Sequence, residues 1–379
     1  MRFIHFKIPL PMKKFLFIPI LFLFLIACDS SKESSKDFQL LITVNNFDGH
    51  TVKVQRRLDD AWVVLDSATV ENGQVQLSGQ LENEEMLYLS LQDIRGNIPF
   101  FAETSNINIQ VDPENIRDAT ISGSAVHQRY VDFLTLYDQY DETLYQLYKE
   151  YKEAEESGDE TAKAQAEDAY GDVDQEKQNY LVNYIIDNHS DIVSHYLLYR
   201  NNYAFELEEL ESILGNFDLE NSSPYLDAMR DRVLLLKSVA VGMPFKDFTQ
   251  DDPNGNPVSL ASQIGVKVLL VDFWASWCGP CRVENPNIVS IHADYKDQGF
   301  QVFGVSFDTD KEKWIEAIAH DQLDWPQVSD LQGWGNEAGK LYGVLSIPHS
   351  ILLDAEGTII AKNLRGDKLR EKVTELLEQ

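Results

Sequence analysis

The stretch Val268-Leu269-Leu270-Val271-Asp272-Phe273-Trp274-Ala275-Ser276-Trp277-Cys278-Gly279-Pro280-Cys281 constrains the fold more than any other part of the chain. Its apolar run predicts a strand buried on both faces. It leads directly into two cysteines, two residues apart, at the expected start of a helix. The unpaired N–H groups of a helix N-terminus favour negative charge, so a thiol placed there loses its proton more readily than a free one. Cys278 is therefore the candidate nucleophile. Cys281, one turn on, lies on the same face, close enough to close a disulfide and less open to an outside partner, which suits a resolving thiol. A lone pair of this spacing also fits half a zinc site. The chain has only three cysteines and no second pair, so the reading calls for no metal and no cofactor.

At 379 residues the chain is too long for one ordinary domain. A formal charge of -30 speaks against nucleic acid as a partner. Three cysteines cannot staple a disulfide scaffold, and Cys28 needs its own account. Met12-Lys13-Lys14 and the apolar run through Ala27 form a basic segment and a hydrophobic segment rather short for a spanning helix. Leu25-Ile26-Ala27-Cys28 then resembles the bacterial lipoprotein signal, in which lipid is attached to the cysteine and the chain is cut just before it. Residues 1-27 are expected to be this signal peptide, whether translation starts at Met1 or Met12, and residues 28-36 a polar tether. The alternative is an uncleaved membrane anchor with an incidental Cys28. Cleavage would remove four basic residues and no acid, leaving an acidic body held by lipid at the cell envelope, facing periplasm or cell exterior.

From 37 to 122 apolar and polar residues alternate in short runs: Phe38-Leu40-Ile42-Val44, Val52-Val54, Trp62-Val64, Val75-Leu77, Leu87-Leu89-Leu91 and Ile107-Ile109-Val111. Turn residues such as Asn72-Gly73 separate them, which predicts an antiparallel, sandwich-like β domain. It carries no catalytic-looking cluster, and spacing, docking or dimer formation are the roles open to it. Residues 123-239 switch to helical period. Tyr130, Phe133, Tyr137, Tyr140, Leu144, Leu147 and Tyr151 make one stripe, and a second helix follows the turn at Ser157-Gly158-Asp159. The stripe is either a buried face or a grip for a partner protein. Further helices are expected around Phe205-Glu211 and Pro224-Val239. From Pro244 a last domain alternates strands and helices over residues 240-379, predicting an α/β fold with a mixed sheet.

Trp277-Cys278-Gly279-Pro280-Cys281, with Val271-Asp272-Phe273-Trp274-Ala275 before it, resembles the thioredoxin active site. Pro244-Phe245, Cys281-Arg282-Val283-Glu284-Asn285-Pro286 and Ile347-Pro348-His349-Ser350 resemble, more narrowly, the TlpA/ResA branch of bacterial thiol-disulfide oxidoreductases. The order of elements before residue 123 resembles a domain of unassigned function often found ahead of such domains in lipoproteins, and no function comes with it. The resemblance implies a thioredoxin-like fold for 240-379 and a protein-disulfide reductase. Asp272, near the end of an apolar strand, should have a raised pKa and accept the proton of Cys281; a hydrogen-bonded structural aspartate is the other reading. Glu284 matches a family glutamate that influences the cysteines' titration, with plain surface charge the alternative. Pro286 would kink the helix. Ile347-Pro348 is implied to be a cis bond facing the dithiol, against an ordinary trans bond at a strand edge. Trp277, Gly279, Pro280, Ile347 and Pro348 are the implied substrate-binding residues, with Trp274 and Trp277 shielding the dithiol. His349 adjoins a strand rather than the nucleophile, and the remaining histidines have no evident partners.

Gly-Pro between the cysteines matches thioredoxin, whose potential is about -270 mV, against about -120 mV for DsbA, and favours a reductase. The resemblance implies oxidised envelope proteins as clients, apocytochrome c among them, and a membrane thiol-transfer protein as electron donor. Two rivals stand beside this reading. One is a thiol oxidase, isomerase or peroxidase; the other is a binding or adhesion lipoprotein in which residues 37-238 do the work.

Overall fold

The computed structural model describes residues 37-378 apart from Asp59, Asp60, Leu219 and Asn221. The expected signal peptide, tether and lipidation at Cys28 lie outside the described residues. Among the described residues no helix is long and apolar enough to cross a membrane.

The chain begins with β1 (Asp37–Val44), β2 (Thr51–Leu58), β3 (Ala61–Thr69), β4 (Gln74–Gln80), β5 (Glu85–Leu91), β6 (Ile98–Ala102), β7 (Asn106–Asp112) and β8 (Asn115–Ser122). They form two four-stranded sheets ordered β4-β1-β7-β8 and β3-β2-β5-β6. Phe38, Leu40, Ile42, Val52, Val54, Leu87, Leu89, Ile107 and Ile109 fill one core between them, so the period-two residues face inward as alternation requires. Neighbouring strands are antiparallel apart from β1 and β7, which run parallel with Leu40 opposite Ile107. A parallel neighbour needs a long crossover, and the strands of the other sheet supply it. The edge strands β3 and β8 bury no residue fully, and Trp62, Val63 and Val64 of β3 are exposed.

A helical layer follows: α1 (Ala125–Ser157), α2 (Glu160–Asp187), α3 (Ile192–Arg200), α4 (Leu207–Leu214) and α5 (Pro224–Ser238). Gly158 in the left-handed region ends α1, and the Asp159 carboxylate caps α2 by accepting from the Thr161 and Ala162 N–H groups. The aromatic stripe is in part a buried face. Phe133 is enclosed by Tyr137, Tyr180 and Tyr184, with ring centroids at 5.0, 5.3 and 4.7 Å; Tyr145 and Tyr148, farther along, stay exposed. Met86 and Phe101 of the sandwich enter the helical core. His195, for which the sequence suggests no partner, faces Ser223 Oγ at 3.1 Å and the His189 carbonyl at 2.9 Å.

The remaining elements are β9 (Thr249–Asp251), β10 (Pro257–Ser259), β11 (Val268–Trp274), α6 (Gly279–Tyr295), β12 (Phe300–Ser306), α7 (Lys311–Asp321), β13 (Gln327–Val328), α8 (Glu337–Tyr342), β14 (His349–Asp354), β15 (Ile359–Lys362) and α9 (Gly366–Leu377). The sheet order is β13-β12-β11-β14-β15, with β14 antiparallel to β11 and β12 parallel to it. Every residue of β11 is buried, as its continuous apolar run predicts. The linker before β9 pairs with the far edge: Gly242 N–H donates to the Ile359 carbonyl at 2.7 Å and Phe245 N–H to the Gly357 carbonyl at 2.8 Å. α6 continues through Pro286 to Tyr295.

Candidate active site

The central strand delivers the reactive segment. Beyond Trp274, Ser276 is held at three atoms: its N–H and Oγ donate to Asp308 at 2.9 and 2.5 Å, and its carbonyl accepts from Arg282 Nη1 at 3.0 Å. Asp308 is buried and also accepts from Ser306 Oγ at 2.7 Å. Arg282 is fixed in turn by Asp321, which also accepts from Asn285 Nδ2. Two residues after Ser276 the helix begins, with Cys278 as its N-cap and Cys278 Sγ accepting from the Cys281 N–H at 3.2 Å. Cys278 and Cys281 are joined as a disulfide with Cα atoms 5.3 Å apart. Cys278 is 5 % exposed and Cys281 1 %. Both residues are buried, Cys278 slightly less than Cys281, and the neighbours Trp277, Gly279 and Pro280 are exposed. With the disulfide reduced, the helix N-terminus would favour thiolate at Cys278.

Asp272 lies on β11, buried, in register with Ser350 of β14. Burial pushes its pKa up to about 7, the Glu284 carboxylate adds to the rise, and the Arg365 guanidinium opposes it. Glu284 is anchored at the start of α9, where Oε1 accepts from the Gly366 N–H at 2.9 Å and from Asn287 Nδ2 at 2.8 Å. It thus serves a helix N-terminus while standing close enough to act on Asp272. The Ile347-Pro348 bond is cis. Because Phe273 is opposite His349, Pro348 arrives at the end of β11 from which the dithiol segment leaves. Gly279, Pro280 and Trp277 are exposed around Cys278, while Ile347 and Pro348 are half-buried. Trp274 is fully buried in the same core as Cys278 and Cys281, and its Nε1 donates to Gln327 Oε1 at 2.9 Å. That amide occupies the space over Gly304, where a Cβ would come within 2.1 Å of it.

Four residues of the site escape sequence reading. Trp334, 51 % exposed, stands 6.0 Å from the Trp277 ring, and Trp277 is 54 % exposed. Asp308 and Arg282 clamp the dithiol loop, and Arg365 donates to the Pro348 carbonyl. Trp334 could have been found as a tryptophan inside a Gly-Trp-Gly turn, where no core demands it; Arg282 lies within the dithiol motif and reaches back six residues to Ser276, while Asp308 and Arg365 depend on contacts between separate segments. His349 is packed 5.8 Å from the Phe273 ring, and burial first, then the cations Lys362, Arg365 and Arg232, hold its pKa down to about 3. Such a ring is neutral and is no general base for thiols near pH 7. Among the described residues no cluster of histidine, cysteine or acid is arranged to hold a metal ion.

Residues 240–378 match the Redoxin family, and residues 38–130 match a domain of unknown function, DUF4369. The thiol:disulfide interchange protein HelX of Rhodobacter capsulatus is 30% identical over 168 residues, covering 38% of this chain and 92% of that protein. The thiol-disulfide oxidoreductase ResA of Geobacillus thermodenitrificans is 31% identical over 144 residues, covering 37% of this chain and 78% of that protein. A solved thioredoxin domain of a thiol-disulfide oxidoreductase from Bacteroides vulgatus is 39% identical, covering 37% of this chain and 99% of that one at a TM-score of 0.35.

Proposed function

This chain belongs to the thiol-disulfide oxidoreductases that include HelX and ResA, and from that premise we propose that it is a lipid-anchored envelope protein that reduces disulfides of other envelope proteins through Cys278 and Cys281. The observation that carries this reading is a disulfide between Cys278, the N-cap of α6 flanked by the exposed Trp277, Gly279 and Pro280, and Cys281 one turn on. In the reduced protein the Cys278 thiolate attacks one sulfur of a client disulfide, and the other leaves as a thiolate. Cys281 then loses its proton to the Asp272 carboxylate and attacks Cys278. The bond between Cys278 and the client breaks, and reduced client departs. The enzyme ends as the Cys278–Cys281 disulfide with one dithiol of client made, so electrons balance. Glu284 and Arg365 bias Asp272 in opposite directions, and a proton affinity near neutrality lets Asp272 take up and return the proton in turn.

Regeneration outside the cytoplasm requires two electrons from a membrane thiol-transfer protein. Oxidised envelope proteins, with apocytochrome c as a candidate, are the clients that the family resemblance suggests. Trp277, Gly279, Pro280, Ile347 and Pro348 would receive an extended client segment, whose main chain pairs beside the proline. Reduction of insulin by dithiothreitol tests the reading. Wild-type protein should accelerate it, and Cys278→Ser should lower turnover at least about a thousandfold because the attacking sulfur is gone. An inert wild type would move the function to residues 37-238. Equilibration with glutathione reports direction: a potential near that of DsbA, about -120 mV, would replace the reductase by an oxidase.

A further inference from the structure

The loop that carries Ile347 and Pro348 runs from Gly343 to β14, and its first residue is held from outside the redox region. Arg232 of α5 donates from Nη1 to the Gly343 carbonyl at 3.1 Å. Gly343 has φ +70°, and a Cβ built there would lie 3.1 Å from Leu236 Cδ2 and 3.4 Å from Leu235 Cδ2. One turn of α5 therefore sits on the start of the loop with no space to spare. Just beyond the other end, Glu206 before α4 accepts from Asn363 Nδ2 at 3.3 Å. Asn363 is tied to Ser350 twice: its N–H donates to the Ser350 carbonyl at 2.8 Å, and its Oδ1 accepts from the Ser350 N–H at 3.3 Å. The helical layer thus touches the loop directly at residue 343 and, through Asn363, reaches residue 350.

Arg232 is an expensive residue for mere packing. Burial lowers its pKa to about 10, with the Glu206 carboxylate partly offsetting this, and its Nε is buried without a hydrogen-bond partner among the described residues. Lys362 adds further positive charge nearby. A methionine of similar length would fill the space without a desolvated charge, at the loss of the hydrogen bond to the Gly343 carbonyl. A costly group facing a binding loop suggests that it serves the loop.

We propose that Arg232, with Leu235 and Leu236, is a positioning residue of the disulfide-exchange site: α5 fixes the 343–348 loop where a client's main chain must pair, making the helical layer part of the client-binding unit. The inference rests on the reading that this chain reduces protein disulfides. Arg232→Met in the full-length protein tests it with insulin as substrate. The expected result is a KM raised about fivefold, with kcat within about twofold of wild type, since a ground-state docking contact has been loosened. Amide hydrogen exchange at residues 344–347 should be faster. An unchanged KM with unchanged exchange overturns the inference, as does a lowered Tm with KM unmoved, which would make Arg232 purely structural. Should Arg232→Met fail to fold, Glu206→Ala, at an exposed position, should raise KM about twofold and speed exchange at Ser350; no change there overturns the inference. Insulin left untouched by the wild type would bring down the reductase reading itself, whereas an active wild type with indifferent variants would bring down only the role of α5.

Discussion

The sandwich and the redox region are built on opposite principles. Between residues 37 and 122 the described core is apolar throughout, with Gln55 the one buried polar side chain, its amide paired with Asn97. The redox region buries Asp272, Asn285, Asp308, Gln327 and Asn336 among others. A buried polar group left unpaired costs about 1–3 kcal/mol, so a chain that accumulates such groups must pair them. Here the pairing builds the site: Asp308 holds Ser276, Gln327 holds Trp274, and Asn336 Nδ2 donates to Asp330 at 3.0 Å and to the Ser306 carbonyl at 3.2 Å. Asp272 stands apart because burial opposes its charge. The contrast teaches that one region uses its core for stability, while the other gives up stability to hold chemistry in place.

The largest test of that contrast is Asp272→Asn. In the wild type the folded-state pKa of about 7 exceeds the ordinary aspartate value of 3.8, so the folded protein binds this proton more tightly than the unfolded chain. The stability linked to this group is complete below 3.8, falls as pH rises, and is lost above about 7. Asparagine does not titrate. At pH 8 the variant should therefore be more stable by an amount on the order of 4 kcal/mol, from roughly 1.4 kcal/mol per pKa unit, and the gain should vanish near pH 4. Insulin turnover at pH 7 should fall on the order of a hundredfold, with the rise of rate through pH 7 flattened, if Asp272 accepts the Cys281 proton as proposed. Urea denaturation across pH, run beside the assay, reads both. Equal stability of variant and wild type at pH 8 would mean that Asp272 carries no burial penalty, and the contrast would lose its best example.

Phe38→Ala probes the other side. Phe38 is fully buried, and its ring fills the space over Gly79, where a Cβ would lie 2.7 Å away. Removing the ring should destabilise the sandwich by about 3–5 kcal/mol. Insulin turnover per folded molecule should stay at the wild-type value, since the two cores share no residue. Turnover that drops with the sandwich would show that the two regions act as one.

What the sequence disclosed follows the same division. β11 and the dithiol were readable because a continuous apolar run and a two-residue spacing are local signals. In the sandwich, alternation located most strands but not their order or the parallel β1–β7 pair, which only tertiary contacts decide. α3 was missed because Ile192 through Leu198 are all buried and show no one-sided period. β6, packed on the sandwich core by Ile98 and Phe100 and on the helices by Phe101, hid for the same reason. Asp272, Cys278 and Cys281 could be named because they share one short segment. Arg232 and Gly343 meet across 111 residues, and no spacing rule reaches that far.

The smallest expected effect sharpens the comparison at the surface. Both regions expose a tryptophan: Trp334 at 51 % beside the dithiol, and Trp62 at 44 % on the edge strand β3. Trp334 stacks edge-on to Phe307 at 5.3 Å and stands 6.0 Å from Trp277, so two indoles border the segment that carries Cys278. Trp62 is occupied by its own neighbours, with the Tyr88 ring at 5.1 Å and the Arg57 guanidinium 5.8 Å above it. An aromatic contact in a client complex is worth about 0.5–1.5 kcal/mol beyond area burial, so Trp334→Ala should raise the insulin KM about threefold and leave kcat nearly unchanged. Trp62→Ala should move neither constant. If the two substitutions raised KM equally, the sandwich edge would be touching the client as well, and the division between a stabilising front and a reactive rear would give way to a single binding surface spanning both.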